Sequence, residues 1–163
     1  MATNFLHATG TNGALTAAFQ VIGGAELNAL ANAGVVVGST SGSSGVFTQS
    51  NFASGQYGYF YATTGASSGW TPTAGGNLTG WFMHSPDGGT TYETTVGTTG
   101  LARPPDFIIS LAANALPASS IVGYSSLVPM PYDTCKFYIQ NNSGATTASV
   151  SNTIKCFVVA DQY

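Results

Sequence analysis

Gly, Pro and Asn interrupt this chain at short intervals, and the segments between them are rich in Val, Ile, Thr, Tyr, Phe and Trp. That punctuation imposes short strands joined by turns. β-Branched and aromatic side chains fit a pleated surface, while Gly, Pro and Asn supply the dihedrals of tight turns. Strands are expected at residues 15–22, 34–37, 57–63, 78–84, 91–96, 107–111, 120–128, 134–140 and 153–160. Only residues 25–33 (AELNALANA) suit a helical turn or two, and their apolar residues do not continue far enough to bury a face. About nine short strands without a repeat of fixed period predict an all-β, single-domain β-sandwich, and within that class a jelly roll.

With 163 residues, 44% of them hydrophobic and 12% aromatic, the chain has apolar surface enough for one packed domain. That domain is expected over residues 14–163. Residues 1–13 lack core-like patterning and read as a flexible N-terminal arm that orders on binding a partner. Two Gly/Ser-rich stretches, 38–45 and 65–76, read as loops. SPDGGT at 85–90 reads as the turn of a hairpin between strands 78–84 and 91–96, with Pro86 at its first central position and Gly88 or Gly89 supplying a positive φ.

Only 6% of residues are charged, the net charge is -3, and Arg103, Lys136 and Lys155 are the only cations. No basic stripe is available to neutralise phosphates and no polybasic patch to meet a membrane, so neither nucleic acid nor membrane is an expected partner. Residues 1–13 lack a basic n-region and an apolar h-region, so synthesis and retention in a cytoplasm are expected.

The stretch TCKFYIQNNSGATTASVSNTIKCFVV places both cysteines and two of the three cations symmetrically about a polar loop. A symmetric antiparallel hairpin would set Cys135 opposite Cys156, Phe137 opposite Ile154 and Lys136 opposite Lys155. Alternation then puts Cys135, Phe137, Ile139, Ile154, Cys156 and Val158 on one inward face. The cysteines are expected as a packed pair of free core thiols rather than a disulfide. The outward lysines either guard a strand edge or meet a carboxylate on a partner.

Catalytic and metal-binding patterns are thin. Gly65-Ala66-Ser67-Ser68-Gly69 matches G-x-S-x-G, but no strand-turn-helix surrounds it and the order of His and Asp fails. The acids Glu26, Asp87, Glu93, Asp106, Asp133 and Asp161 form no recognisable pair for glycoside hydrolysis, and His7 and His84 lack zinc-ligand spacing. No enzyme activity, cofactor or metal is expected. Tyr57, Tyr59 and Tyr61 share one strand face with Phe60 on the other, and Trp70 and Trp81 lie nearby in sequence. Such aromatics serve as core, as a protein interface or as a platform for sugar rings.

The succession AELNALANAGVVVGS, an aromatic strand, TPTAGGNLTGWFMHSPDGGTTYE and VPMPYDTCKFYIQNNSGATTASVSNTIKCFVV resembles small structural proteins of tailed bacteriophages, over residues 25–159. The shared features are an E-L-N-x-L start, an S-x-D-G-T-x-Y hairpin, a Pro-rich turn, a K-F-x-x-x-N-N-[ST]-G strand and an N-T-[IL]-K strand. This chain departs in its CFVVADQY ending and in an extra glycine in the SPDGGT turn. The resemblance implies a jelly-roll head decoration (capsid cement) protein on the outer capsid surface of the virion, made in the cytoplasm of a bacterial host. Its implied partners are the major capsid protein and further copies of itself, as a trimer or dimer. Lys136 and Lys155 are then the motif lysines, and they join Tyr57, Tyr59, Tyr61 and Trp70 as candidate partner contacts. The alternative is a tail- or fibre-associated carbohydrate- or receptor-binding module using the same aromatics.

Overall fold

The computed structural model describes residues 19–22, 24–38, 46–47, 57–65, 69–93, 101, 103–113 and 121–159. Its strands are β1 (Phe19–Ile22), β2 (Val35–Val37), β3 (Val46–Phe47), β4 (Tyr57–Thr63), β5 (Asn77–Ser85), β6 (Phe107–Leu111), β7 (Ile121–Tyr124), β8 (Val128–Pro129), β9 (Thr134–Asn142) and β10 (Thr153–Val159). One helical turn, α1 (Gly24–Leu27), is the only helix among the described residues. The protein is all-β. The expected arm at residues 1–13, the 15–18 part of the first strand, most of the 38–45 loop, the centre of G-x-S-x-G, His7 and Asp161 lie outside the described residues.

Every strand pair is antiparallel, and many of the pairs are nested. β1 pairs β10, β2 and β3 pair β9, β4 pairs β7 and β8, and β5 pairs β6. The chain therefore runs out and back as one long hairpin whose two arms are hydrogen-bonded to each other. Three further ladders, β10 with β4, β5 with β9 and β6 with β7, join the segments of that hairpin sideways into the order β1-β10-β4-β7-β6-β5-β9-β2.

That sheet is not flat. β4 and β9 are four ladder steps apart, roughly 19 Å in a flat sheet, yet the Phe60 and Phe137 rings lie 5.5 Å apart. The sheet closes on itself as a sandwich, with β1, β10, β4 and β7 facing β6, β5, β9 and β2. The core between them draws Ile22, Phe60, Ala62, Ile154 and Cys156 from the first half and Leu78, Phe82, Phe107, Ile109, Phe137 and Ile139 from the second. Phe60, Phe82, Phe107 and Phe137 form its aromatic centre, each burial contributing about 2 kcal/mol before entropy is counted.

The two outer faces differ. Over the second half, Trp81, Met83 and Tyr138 are covered by Tyr92, Leu101 and Val35. The covering segment is pinned by Arg103, whose guanidinium donates to both Asp106 carboxylate oxygens at 2.8 Å and to the Phe82 carbonyl, while Asp106 accepts from the Phe82 amide at 2.7 Å. Trp81 Nε1 donates to the Arg103 carbonyl at 3.0 Å. The expected second arm of the 78–84 hairpin does not form a strand at residues 91–93, and residues 94–96 lie outside the described set. Instead, the Glu93 amide donates to the His84 carbonyl.

The symmetric hairpin of Cys135 against Cys156 is not formed. β9 pairs β5, β2 and β3, and β10 pairs β1 and β4. The loop between them is committed elsewhere. Asn141 Nδ2 donates to the Leu30 and Ala31 carbonyls, the Thr147 hydroxyl accepts from the Leu30 amide, and the Asn152 amide donates to Asn28 Oδ1. These bonds tie residues 141–152 to the segment after α1, and the chain crosses from one half of the sandwich to the other. Face assignment survives because both strands front the same core: Cys135, Phe137, Ile139, Ile154 and Cys156 are all fully buried.

Candidate interaction face

β4 reads YGYFYAT, and its burial alternates with the sequence: Phe60 and Ala62 point into the core while Tyr57 and Tyr59 are exposed and Tyr61 is half-buried. The outer face of the first half carries no covering segment among the described residues, so the tyrosines look outward. Register extends the row. Lys155 on β10 stands beside Tyr61, Tyr61 beside Tyr124 on β7, and Tyr124 beside Ser110 on β6. Phe157 stands beside Tyr59, and Tyr57 beside Pro129.

Tyr124 is 71% exposed and Ile121 63%, while the exposed Ile108 stands beside Thr79 on β5, around the bend in the second half. Tyr57, Tyr59 and Tyr124 alone present roughly 300 Å² of aromatic surface. That is at the lower end of the largest apolar patch on a typical single chain, a patch that is often functional. Burial beside its neighbours raises the Tyr61 phenol above its ordinary value, with Cys156 a smaller cause, so the hydroxyl is a neutral donor and acceptor. The chemistry available here is apolar contact, phenol hydrogen bonding and one ammonium group.

The three cations divide. Arg103 is held by Asp106 and Glu93. Lys136 lies on β9 between β5 and β3, with its Nζ 4.0 Å from the centre of the Tyr92 ring, a cation-π contact that occupies it within the chain. Lys155 has no ion-pair partner among the described residues and stands in the tyrosine row. Edge protection explains neither lysine, since both strands are paired on both sides. The structure thus separates two residues that the sequence treats as equivalent.

Trp70 is not a surface contact. It is 1% exposed, and its Nε1 donates to Ser143 Oγ at 3.1 Å. Its Gly/Ser-rich surroundings masked an apolar anchor between the 69–76 loop and β9. Tyr124, Ile121, Ile108 and Phe157 were missed by sequence reasoning. FIISL shows no polar alternation to mark Ile108 as outward, and a register shift between Ala62 and Thr63 resets the faces of β7.

One further grouping brings Cys135, its ladder partner His84 and Asp133 together, with His84 Nδ1 and Asp133 Oδ1 2.7 Å apart. Those are the residue types of a nucleophilic thiol site. Burial, with Asp133 and Asp106 adding to it, pushes the Cys135 thiol up to about 12, the reverse of an activated nucleophile. Cys135 and Cys156 are both free and fully buried. No group of three metal-ligating side chains occurs among the described residues.

No protein-family model matches this chain, and no curated protein or solved structure matches it either.

Proposed function

We propose that this chain is a jelly-roll structural protein of a tailed-bacteriophage virion that decorates the outside of the capsid shell and stabilises it, docking through the tyrosine face. The observation that carries the reading is the asymmetry of the sandwich: among the described residues, one outer face has Tyr92 and Leu101 packed over Trp81, Met83 and Tyr138, and the other presents tyrosines with no covering segment. Tyrosine is enriched at protein interfaces because its ring supplies contact area at low entropic cost and its hydroxyl finds a partner. Three further observations support it. The nested antiparallel pairs, with β1 beside β10 and β5 beside β9, support the jelly-roll reading. The motif order over residues 25–159 resembles that of phage decoration proteins. A charge-poor surface loses little on desolvation, and many copies on one shell add modest interfaces through avidity. Self-association into a dimer or trimer at a symmetry axis completes the reading.

The test is co-sedimentation with purified, undecorated capsid shells of the phage whose particles carry the chain. Saturable binding that Tyr59→Ser with Tyr124→Ser weakens at least tenfold supports it. Binding that ignores both substitutions contradicts it. The second reading, a receptor- or carbohydrate-binding module of a tail or fibre, is favoured by one feature: Tyr61 and Tyr124 stand in line with the exposed Ser110 hydroxyl. It predicts retention on a glycan array and none on shells.

A further inference from the structure

The lysine in the tyrosine row identifies what lies across from it. Resting on the docking reading above, we infer that the tyrosine face takes a protein surface other than a second copy of this chain, an apolar surface carrying a carboxylate that meets Lys155. Lys155 is the cation without an internal partner among the described residues, and it sits at half-burial between Tyr61 and the β1 backbone. Covering that face with an uncharged surface would strand its ammonium group away from water, a cost that only a carboxylate or several acceptors offset.

A second copy is poorly equipped to supply that carboxylate. Each acid among the described residues is already engaged. Asp87 accepts from Ser85, Thr90 and Thr91 within its own turn. Glu93 and Asp106 hold Arg103, Asp133 holds His84, and Glu26 has a partner as well. Two tyrosine faces packed on each other about a two-fold axis would place Lys155 near Lys155 with no uncommitted acid among the described residues to meet it. Charge complementarity therefore assigns the face to a different protein, and self-association to other surfaces.

Two measurements test this. The first is independent of any shell: NMR of the full chain titrated with poly-L-glutamate, following the lysine Cε-Hε and tyrosine ring signals. Expected are shifts at Lys155, Tyr61 and Tyr124 that Lys155→Met abolishes, with Lys136 unmoved because Tyr92 holds it. Equal response of Lys136, or binding indifferent to Lys155→Met, overturns the inference. The second is zero-length carbodiimide cross-linking on decorated shells, with the linked peptides identified by mass spectrometry. A Lys155 link to an acidic residue of the shell protein, together with at least tenfold weaker shell binding by Lys155→Glu, supports it. A Lys155 link to another copy of this chain, or shells that bind Lys155→Glu as tightly as the unmodified protein, overturns it while leaving decoration intact. Specific binding of poly-L-glutamate at Lys155 with no binding to shells does the opposite: the partner chemistry stands and the decoration reading falls. Shifts of the same tyrosines by neutral glycans, with none by poly-L-glutamate, overturn it in favour of the sugar-binding module.

Discussion

Phe107 lays its ring across Gly80, its partner in the β5-β6 ladder, so closely that a Cβ on Gly80 would sit 2.1 Å from the ring's Cζ. The missing side chain is what lets Phe107 lie flat enough to stack on Phe60, with ring centroids 3.9 Å apart and planes 8° from parallel. β7 separates β4 from β6 in the sheet order, so this stack bridges non-adjacent strands across the bend of the sheet. Substituting Gly80→Ala must displace the ring and is expected to cost about 1–3 kcal/mol. Urea unfolding measures it, and a midpoint equal to that of the unmodified protein would contradict the packing described.

The turn at residues 85–91 has its own pH dependence. Bonds from the Thr91 hydroxyl, the Thr91 amide, the Ser85 hydroxyl and the Thr90 amide hold the Asp87 carboxyl down to about 2 from its ordinary 3.8. A carboxylate lowered in the folded state contributes stability that is present above 3.8 and disappears as the pH falls towards 2. Hydrogen exchange at the Thr91 and Gly89 amides is therefore expected to accelerate over that acid interval, beyond its intrinsic pH trend. Asp87→Asn should remove the transition. Protection unchanged through this range would show that the carboxylate does not hold the turn.

The core thiols act in the opposite direction. Burial raises Cys135 to about 12 from 9.0 and raises Cys156 as well, with Cys135 a lesser cause of the latter. Thiols that stay neutral in the folded state contribute stability that is complete below 9.0 and is lost as the pH climbs towards 12. Ellman's reagent at about pH 8 should label neither cysteine until denaturant unfolds the chain, since only the thiolate reacts. Prompt labelling of the native protein would place a thiol outside the core.

Trp70 separates stability from docking. Trp70→Phe removes a buried donor from Ser143 and is expected to cost about 1–3 kcal/mol, with shell binding at saturating fold unchanged. Tyr124→Ser should do the reverse, within about 0.5 kcal/mol in stability because it is a surface position, yet weaker on shells. Equal effects of the two substitutions on binding would return Trp70 to the interface.

Much of the fold was legible because alternation is local. YGYFYAT and FIISL were bounded correctly, and the inward faces of β9 and β10 were assigned correctly, since a side chain's face depends only on its position along its own strand. Pairing is not local. The cysteine symmetry about residues 143–152 suggested a hairpin, but Asn141, Thr147 and Asn152 spend that loop on the segment after α1, and both strands find partners far away in sequence. The strand expected at 120–128 divides into β7 and β8, and β3 is too short for a periodic signal. At the site, the shared face of Tyr57, Tyr59 and Tyr61 opposite Phe60 was readable from β4 alone, but which of the two faces looks outward was not. Tyr124 joined them only through the β4-β7 ladder, and the difference between Lys136 and Lys155 rests on which segment covers which face.

Cryo-electron microscopy of intact particles tests the central claim most directly. The account predicts density for this sandwich outside the shell, oriented with Tyr59, Tyr124 and Lys155 against the capsid surface and a shell carboxylate at Lys155. A particle in which the sandwich is seated by another surface, with the tyrosine row facing solvent, would contradict it, as would a shell that carries no such density.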